Sequence, residues 1–180
     1  MASPERNGRL PENFIDAVSR LKITPEEKVS FPAVIWFHRY VGCPLCLYEM
    51  NEIKNNFSQF SKKEYNVYVV LQSDKGKVAS MLEKFPMPFP VISDPERSLY
   101  EIMEVEPADS LKNMLGDFKE EADEKLGKAV SLGYIPGEPD GNEFQLPAVF
   151  VIDSNKKVSF AHYASFLIDL PPVEEILAML

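Results

Sequence analysis

The 180-residue chain is 45% hydrophobic and 26% charged, the make-up of one ordinary folded domain and not of a disordered or fibrous chain. Its 19 Lys+Arg against 28 Asp+Glu give a net charge of −9, which argues against nucleic acid as a partner, because such binders need a cationic footprint. The charge is lopsided: residues 1–90 carry 12 basic and 10 acidic groups, residues 91–180 carry 7 and 18. A site in the first half is therefore not submerged in negative charge.

The opening residues lack the apolar core of a secretory signal, and no apolar run approaches the roughly 18 residues a membrane span needs. A soluble, cytoplasmic protein without a membrane partner is expected. The chain reads as a single domain over 1–180, with 1–29 as a helical N-terminal extension. Pro11 suits a first helical turn, and Phe14, Ala17, Val18 and Leu21 follow at helical spacing. Ala33–His38 is almost continuously apolar and β-branched or aromatic, as in a central strand covered on both faces. A turn at Gly42-Cys43-Pro44 leads into a helix whose stripe is Cys46, Met50, Ile53, Phe57 and Phe60. Asn66–Leu71 is a second buried strand, so the unit is strand–helix–strand with parallel strands.

A helix around Val78–Lys84 precedes Pro86, Pro88 and Pro90 and a short strand at Val91-Ile92. Asp94-Pro95 predicts a helix start, with Leu99, Ile102 and Met103 on its inner face. About 107–145 stands outside the alternation. It predicts one acidic amphipathic helix (Leu111, Met114, Leu115, Phe118, Ala122) and then a Gly/Pro-rich loop, 133–142, either a lid or a solvated insertion. Ala148–Ile152, a turn at Asp153–Lys156 and Val158–Ala164 predict an antiparallel hairpin. Val173, Ile176, Leu177 and Leu180 mark a closing helix. The fold class expected is α/β, a mixed sheet with helices on both faces.

Cys43 and Cys46 are the only cysteines. In a reducing compartment a staple closing so short a loop would contribute little, so a working thiol pair is the better reading. Cys43 follows a strand and a glycine at the start of a helix, where unpaired N–H groups and the helix dipole favour a thiolate. Cys46 lies one turn on, within reach to form a disulfide. Arg39, just upstream, could stabilise the thiolate or an oxygen of a peroxide, or could be a surface arginine at a strand end. A structural zinc would have to recruit His38 and His162; His162, in register with Val158 and Phe160, reads instead as a packed histidine. No metal and no cofactor is expected. Trp36 reads as packing, Tyr40 as packing or as one wall of a substrate site. The run Lys119–Lys125 reads as a solvated helix face.

Phe37-His-Arg-Tyr-Val-Gly-Cys-Pro-Leu-Cys46 followed by Glu49 resembles the active-site stretch of peroxiredoxin-like proteins of the AhpC/TSA superfamily. Ser93–Tyr100, Gln145–Asp153, Ala161–Tyr163 and Asp169–Leu177 fit the same pattern in the same order. The resemblance implies a thioredoxin-like fold, with Cys43 as the attacking and Cys46 as the resolving cysteine. It implies a peroxide substrate and a thioredoxin-type electron donor, with a homodimer as one option. In that fold class a cis-proline before the fourth strand faces the cysteine loop and holds a substrate backbone, and Pro147 stands at that place. A typical member has Pro and Thr where this chain has Trp36 and Tyr40, which turns the expectation from hydrogen peroxide toward organic hydroperoxides. Thioredoxin itself carries a buried acid where this chain has Phe37. Three readings follow: a peroxiredoxin-like peroxidase, a thioredoxin-like oxidoreductase acting on protein disulfides, and a redox-sensing binding module.

Overall fold

A computed structural model describes residues 11–20 and 29–180, with side chains 18–20 left out. In chain order it contains α1 (Glu12–Arg20), β1 (Ala33–Phe37), α2 (Pro44–Lys62), β2 (Asn66–Leu71), α3 (Lys75–Lys84) and β3 (Val91–Ser93). Then follow α4 (Ser98–Ile102), α5 (Leu111–Leu115), α6 (Lys119–Ser131), β4 (Ala148–Ile152), β5 (Val158–Tyr163) and α7 (Val173–Met179). The expected entry helix is α1; Val18 and Leu21 of its stripe lie outside the described side chains.

The strands form one sheet in the order β3-β2-β1-β4-β5. β1, β2 and β3 run parallel, whereas β4 is antiparallel to β1 and β5 to β4. The strand–helix–strand unit and the C-terminal hairpin thus stand where their periodicities put them. Every residue of β1 and β4 is buried, because helices cover both faces, and strand side chains alternate between the two. Val34, Trp36, Val69, Leu71, Val149 and Val151 pack against Met50, Ile53 and Phe60 of α2, Val78 of α3 and Ile176 of α7. Ile35, Phe37, Val70, Phe150 and Ile152 pack against Phe14 of α1 and against Leu99 and Tyr100 of α4. Trp36 meets the edge of Phe60 at a centroid distance of 5.6 Å, which makes it a packing residue.

Two local expectations are corrected. Asp94 does not start α4 directly; its carboxylate accepts from Ser98 N and Leu99 N at 3.0 and 2.8 Å, across a turn that ends at Arg97 with φ 58°. The cap therefore acts one turn later than the Asp-Pro pair suggested. The single amphipathic helix of the insertion is two helices, α5 and α6, because Gly116 between them takes φ 58° and ψ −148°. That combination is open to glycine and would strain other residues.

The ring of Phe150 lies edge-on to both Phe37 and Tyr163 at 5.6 and 5.3 Å. Phe150→Ala is expected to cost about 3–5 kcal/mol of stability, as measured by urea unfolding followed by circular dichroism.

Candidate active site

The site lies at the carboxyl end of β1, where the sheet changes from parallel neighbours on one side to an antiparallel neighbour on the other. Crevices at such switch points are common ligand sites in α/β sheets. Past β1 the chain turns at Tyr40, whose carbonyl accepts from Cys43 N at 3.1 Å, and α2 begins when Leu47 N donates to Cys43 O at 3.1 Å. Cys43 is the N-cap and Pro44 the first helical residue, a place where the missing N–H costs no hydrogen bond. Cys43 and Cys46 are joined as a disulfide, with a Cα–Cα distance of 5.3 Å.

Cys43 Sγ accepts two hydrogen bonds, from Cys46 N at 3.2 Å and from Arg39 Nη2 at 3.3 Å. Both donors favour negative charge on this sulfur. Arg39 is 8% exposed and reaches two further acceptors, Glu143 O at 2.6 Å and Met114 Sδ at 3.5 Å. Its guanidinium lies 5.1 Å from the Tyr40 ring centroid. Burial draws its pKa below the ordinary value, against the raising influence of Tyr40 and Glu143, and a guanidinium stays charged at neutral pH. Arg39 is therefore no surface arginine. The sulfurs are not open either: Cys43 is 0% and Cys46 4% exposed. Tyr40, Leu45, Met114 and Leu167 cover them, backed by Leu115, Phe144, Leu146 and Ile168.

Much of that cover comes from the 107–145 insertion, which is fastened at several points. Gly137 N donates to Gly42 O at 2.9 Å and Leu167 N to Met114 O at 2.7 Å. A side chain on Gly42 would lie 2.8 Å from Glu138 O, so the two backbones approach as only glycine allows. Gln72 holds the same loop through Asn142 N at 2.8 Å. Phe118 of the insertion stacks on Phe166 at 4.2 Å.

Pro147 lies beside the pair, lining a small cavity together with His38, Arg39, Cys46 and Glu49. Its peptide bond is trans; the cis bond among the described residues is Phe31–Pro32. The expectation of a cis-proline is thus corrected, although the place in the fold is right. The extended approach to β4 is fixed instead by a bridge between Pro107 and Gln145. The buried Gln145 amide supports it, with Nε2 donating to Val105 O and Leu146 O at 2.9 and 3.0 Å and Oε1 accepting from Arg97 Nη2 at 2.9 Å.

Sequence reasoning gave no role to Gln145, Glu143 or Met114, and none of these carries a local signal of one. Lys125, read as part of a solvated face, is half-buried and paired with Glu49. His162 Nε2 meets Asp169 O at 2.5 Å, as a held and not a free imidazole. Among the described residues no group of three metal-type side chains forms.

His38 reads in sequence as a candidate zinc ligand or as upstream positive potential. It is 1% exposed; its N–H donates to Val70 O at 3.0 Å and its carbonyl accepts from Tyr100 OH at 2.5 Å. Burial, helped by Lys125, pushes its imidazole down to about 3, so it is neutral near neutral pH. A group depressed in the folded state contributes stability above its unfolded pKa, here 6.5, and loses it as pH falls toward 3. Stability should therefore drop by up to about 1.4 kcal/mol per pH unit below that value. His38→Gln should flatten this part of the profile, as read by urea titrations between pH 7 and pH 4.

The AhpC/TSA family pattern matches residues 27–161. Among solved structures, a cysteine-to-serine mutant of peroxiredoxin 6 of Arenicola marina is 17% identical, covers 82% of this chain and 58% of its own, and has a TM-score of 0.58. The bacterioferritin comigratory protein of Xanthomonas campestris is 14% identical over 82% of this chain and 76% of its own, TM-score 0.57. A Chlorobium tepidum chain assigned as the thiol:disulfide interchange protein DsbE is 18% identical over 82% and 74%, TM-score 0.50. At these identities the likeness is one of fold, the thioredoxin-like fold of peroxiredoxins. The chain spans little more than half the length of the Arenicola protein. No curated protein matches it.

Proposed function

Because this chain belongs to the AhpC/TSA family, we propose that it is a thiol-dependent peroxidase working through Cys43 and Cys46, with organic hydroperoxides as its preferred substrates. The observation that carries this reading is the cysteine pair itself. One sulfur caps a helix, accepts from a buried guanidinium, and has a partner close enough to be bonded to it.

The Cys43 thiolate attacks the distal oxygen of the hydroperoxide. An S–O bond forms, the O–O bond breaks, and the alkoxide leaves as alcohol after taking a proton; sulfur loses two electrons and becomes a sulfenic acid. The Cys46 thiol then condenses with it, forming the S–S bond and releasing water. A thioredoxin-type dithiol returns the two electrons and resets the pair. Arg39 stabilises the thiolate and the charge that develops on oxygen. The apolar cover from Leu45, Met114, Phe144 and Leu167 suits an organic chain. Tyr40 and Pro147 line the substrate's approach, one from the turn before Cys43 and the other from the entry to β4.

Stopped-flow mixing of the reduced protein with hydrogen peroxide and with cumene hydroperoxide, followed by intact mass, tests this. Fast oxidation through a plus-oxygen species to the disulfide is expected, faster with the organic substrate. Cys43→Ser should abolish it, Cys46→Ser should stop at the trappable sulfenic acid, and Arg39→Met should slow the first step about a hundredfold. Oxidation no faster than that of a free thiol, combined with reduction of insulin disulfides in the presence of dithiothreitol, would assign the pair to disulfide exchange instead.

A further inference from the structure

Two buried nitrogens beside the cysteine pair have no hydrogen-bond partner: His38 Nε2 and Arg39 Nε. Such groups are costly when left alone inside a protein. Both residues line the same small cavity, which also reaches Cys46 but not Cys43, and which has room for about one water molecule. The two nitrogens are chemically complementary. Arg39 Nε always bears a proton and can only donate, whereas a neutral imidazole offers a lone pair on one nitrogen. An oxygen that accepts from the first and donates to the second satisfies both, and water is the smallest molecule that does so.

We propose that this cavity holds a single water between Arg39 Nε and His38 Nε2, and that this water carries the Cys46 thiol proton when the disulfide closes. His38 is then a positioning residue for the resolving step; the sulfenic-acid form of the step rests on the peroxidase reading. The water takes the proton of Cys46 S–H as its own second proton passes on toward solvent, and the leaving oxygen, on the far side of the Cys43 sulfur, takes a proton from solvent there. The S–S bond forms, the S–O bond breaks, and the hydroxyl departs as water; the sulfenic sulfur is reduced by the pair of electrons that Cys46 supplies. His38 holds the water's other proton throughout and stays neutral, in keeping with the burial that disfavours its charged form. The charged groups around it are fixed. Arg39 is next in the chain, Glu49 of α2 and Lys125 of α6 pair with one another while Lys125 still disfavours charge on His38, and Asp169 is engaged by Ser165 N and His162.

The test charges Cys43 of the reduced protein in two ways and follows closure by quenched-flow intact mass. One arm uses cumene hydroperoxide, the other the mixed disulfide of glutathione with nitropyridine, which leaves glutathione on Cys43 and needs no peroxide chemistry. In the native protein, closure should be nearly flat between pH 6 and pH 8 and should show a solvent deuterium isotope effect of about two. His38→Phe should close roughly tenfold more slowly, rise about tenfold per pH unit as bulk hydroxide takes over, and leave the rate of charging at Cys43 unchanged. His38→Gln, which keeps an acceptor, should restore most of the rate. Native closure that itself rises tenfold per pH unit would overturn the proposal without any variant, as would His38→Phe closing at the native rate and profile. Dependence on His38 in the glutathione arm, with no sulfenic acid in the hydroperoxide arm, would support the relay and remove the peroxidase reading.

Discussion

The guanidinium of Arg39 is the point on which the site depends. A buried arginine is tolerable only when its N–H groups find acceptors, and those within reach belong to two separate parts of the chain. Cys43 Sγ comes from the start of α2, Glu143 O and Met114 Sδ from the insertion. The requirement to satisfy one charge therefore fixes where the sulfur sits relative to β1 and presses the insertion down on the cysteines. A lysine would offer a point charge without the fork that joins two acceptors at once.

The framework was legible because its signals are local. An unbroken apolar run predicts β1, a 4-3-4-3 stripe predicts α2, and a cysteine pair one turn apart at a helix start predicts two sulfurs within bonding reach; each needs only neighbours in sequence. The cover over the sulfurs was not legible, because the contacts that make it join residues 75 and 104 positions apart. Met114 looks in sequence like one more apolar residue on a helix stripe, and Glu143 contributes a carbonyl that any residue could offer. The break at Gly116 was missed because the apolar stripe continues across it. Pro147 shows the limit of analogy: it stands before β4 as expected, but its peptide bond is trans.

The uneven charge takes on a different meaning in three dimensions. Cys43 and Arg39 come from the nearly balanced first half, yet the acidic second half supplies much of the apolar cover over them. The insertion contributes one acidic residue, Glu143, to the surroundings of Arg39 and one basic residue, Lys125, to Glu49 near Cys46. Of its other charges on α6, Lys119 pairs with Asp123 and Lys128 with Glu124 along the helix.

Burial of both sulfurs has a kinetic meaning of its own. A thiol in the surrounding solution meets neither sulfur of the closed disulfide until the cover formed by Met114, Leu167 and their neighbours parts. Exchange with the ambient thiol pool is consequently gated: it runs at the frequency of that opening multiplied by the chance of capture while open, and the nucleophilicity of the incoming thiol matters only for the second factor.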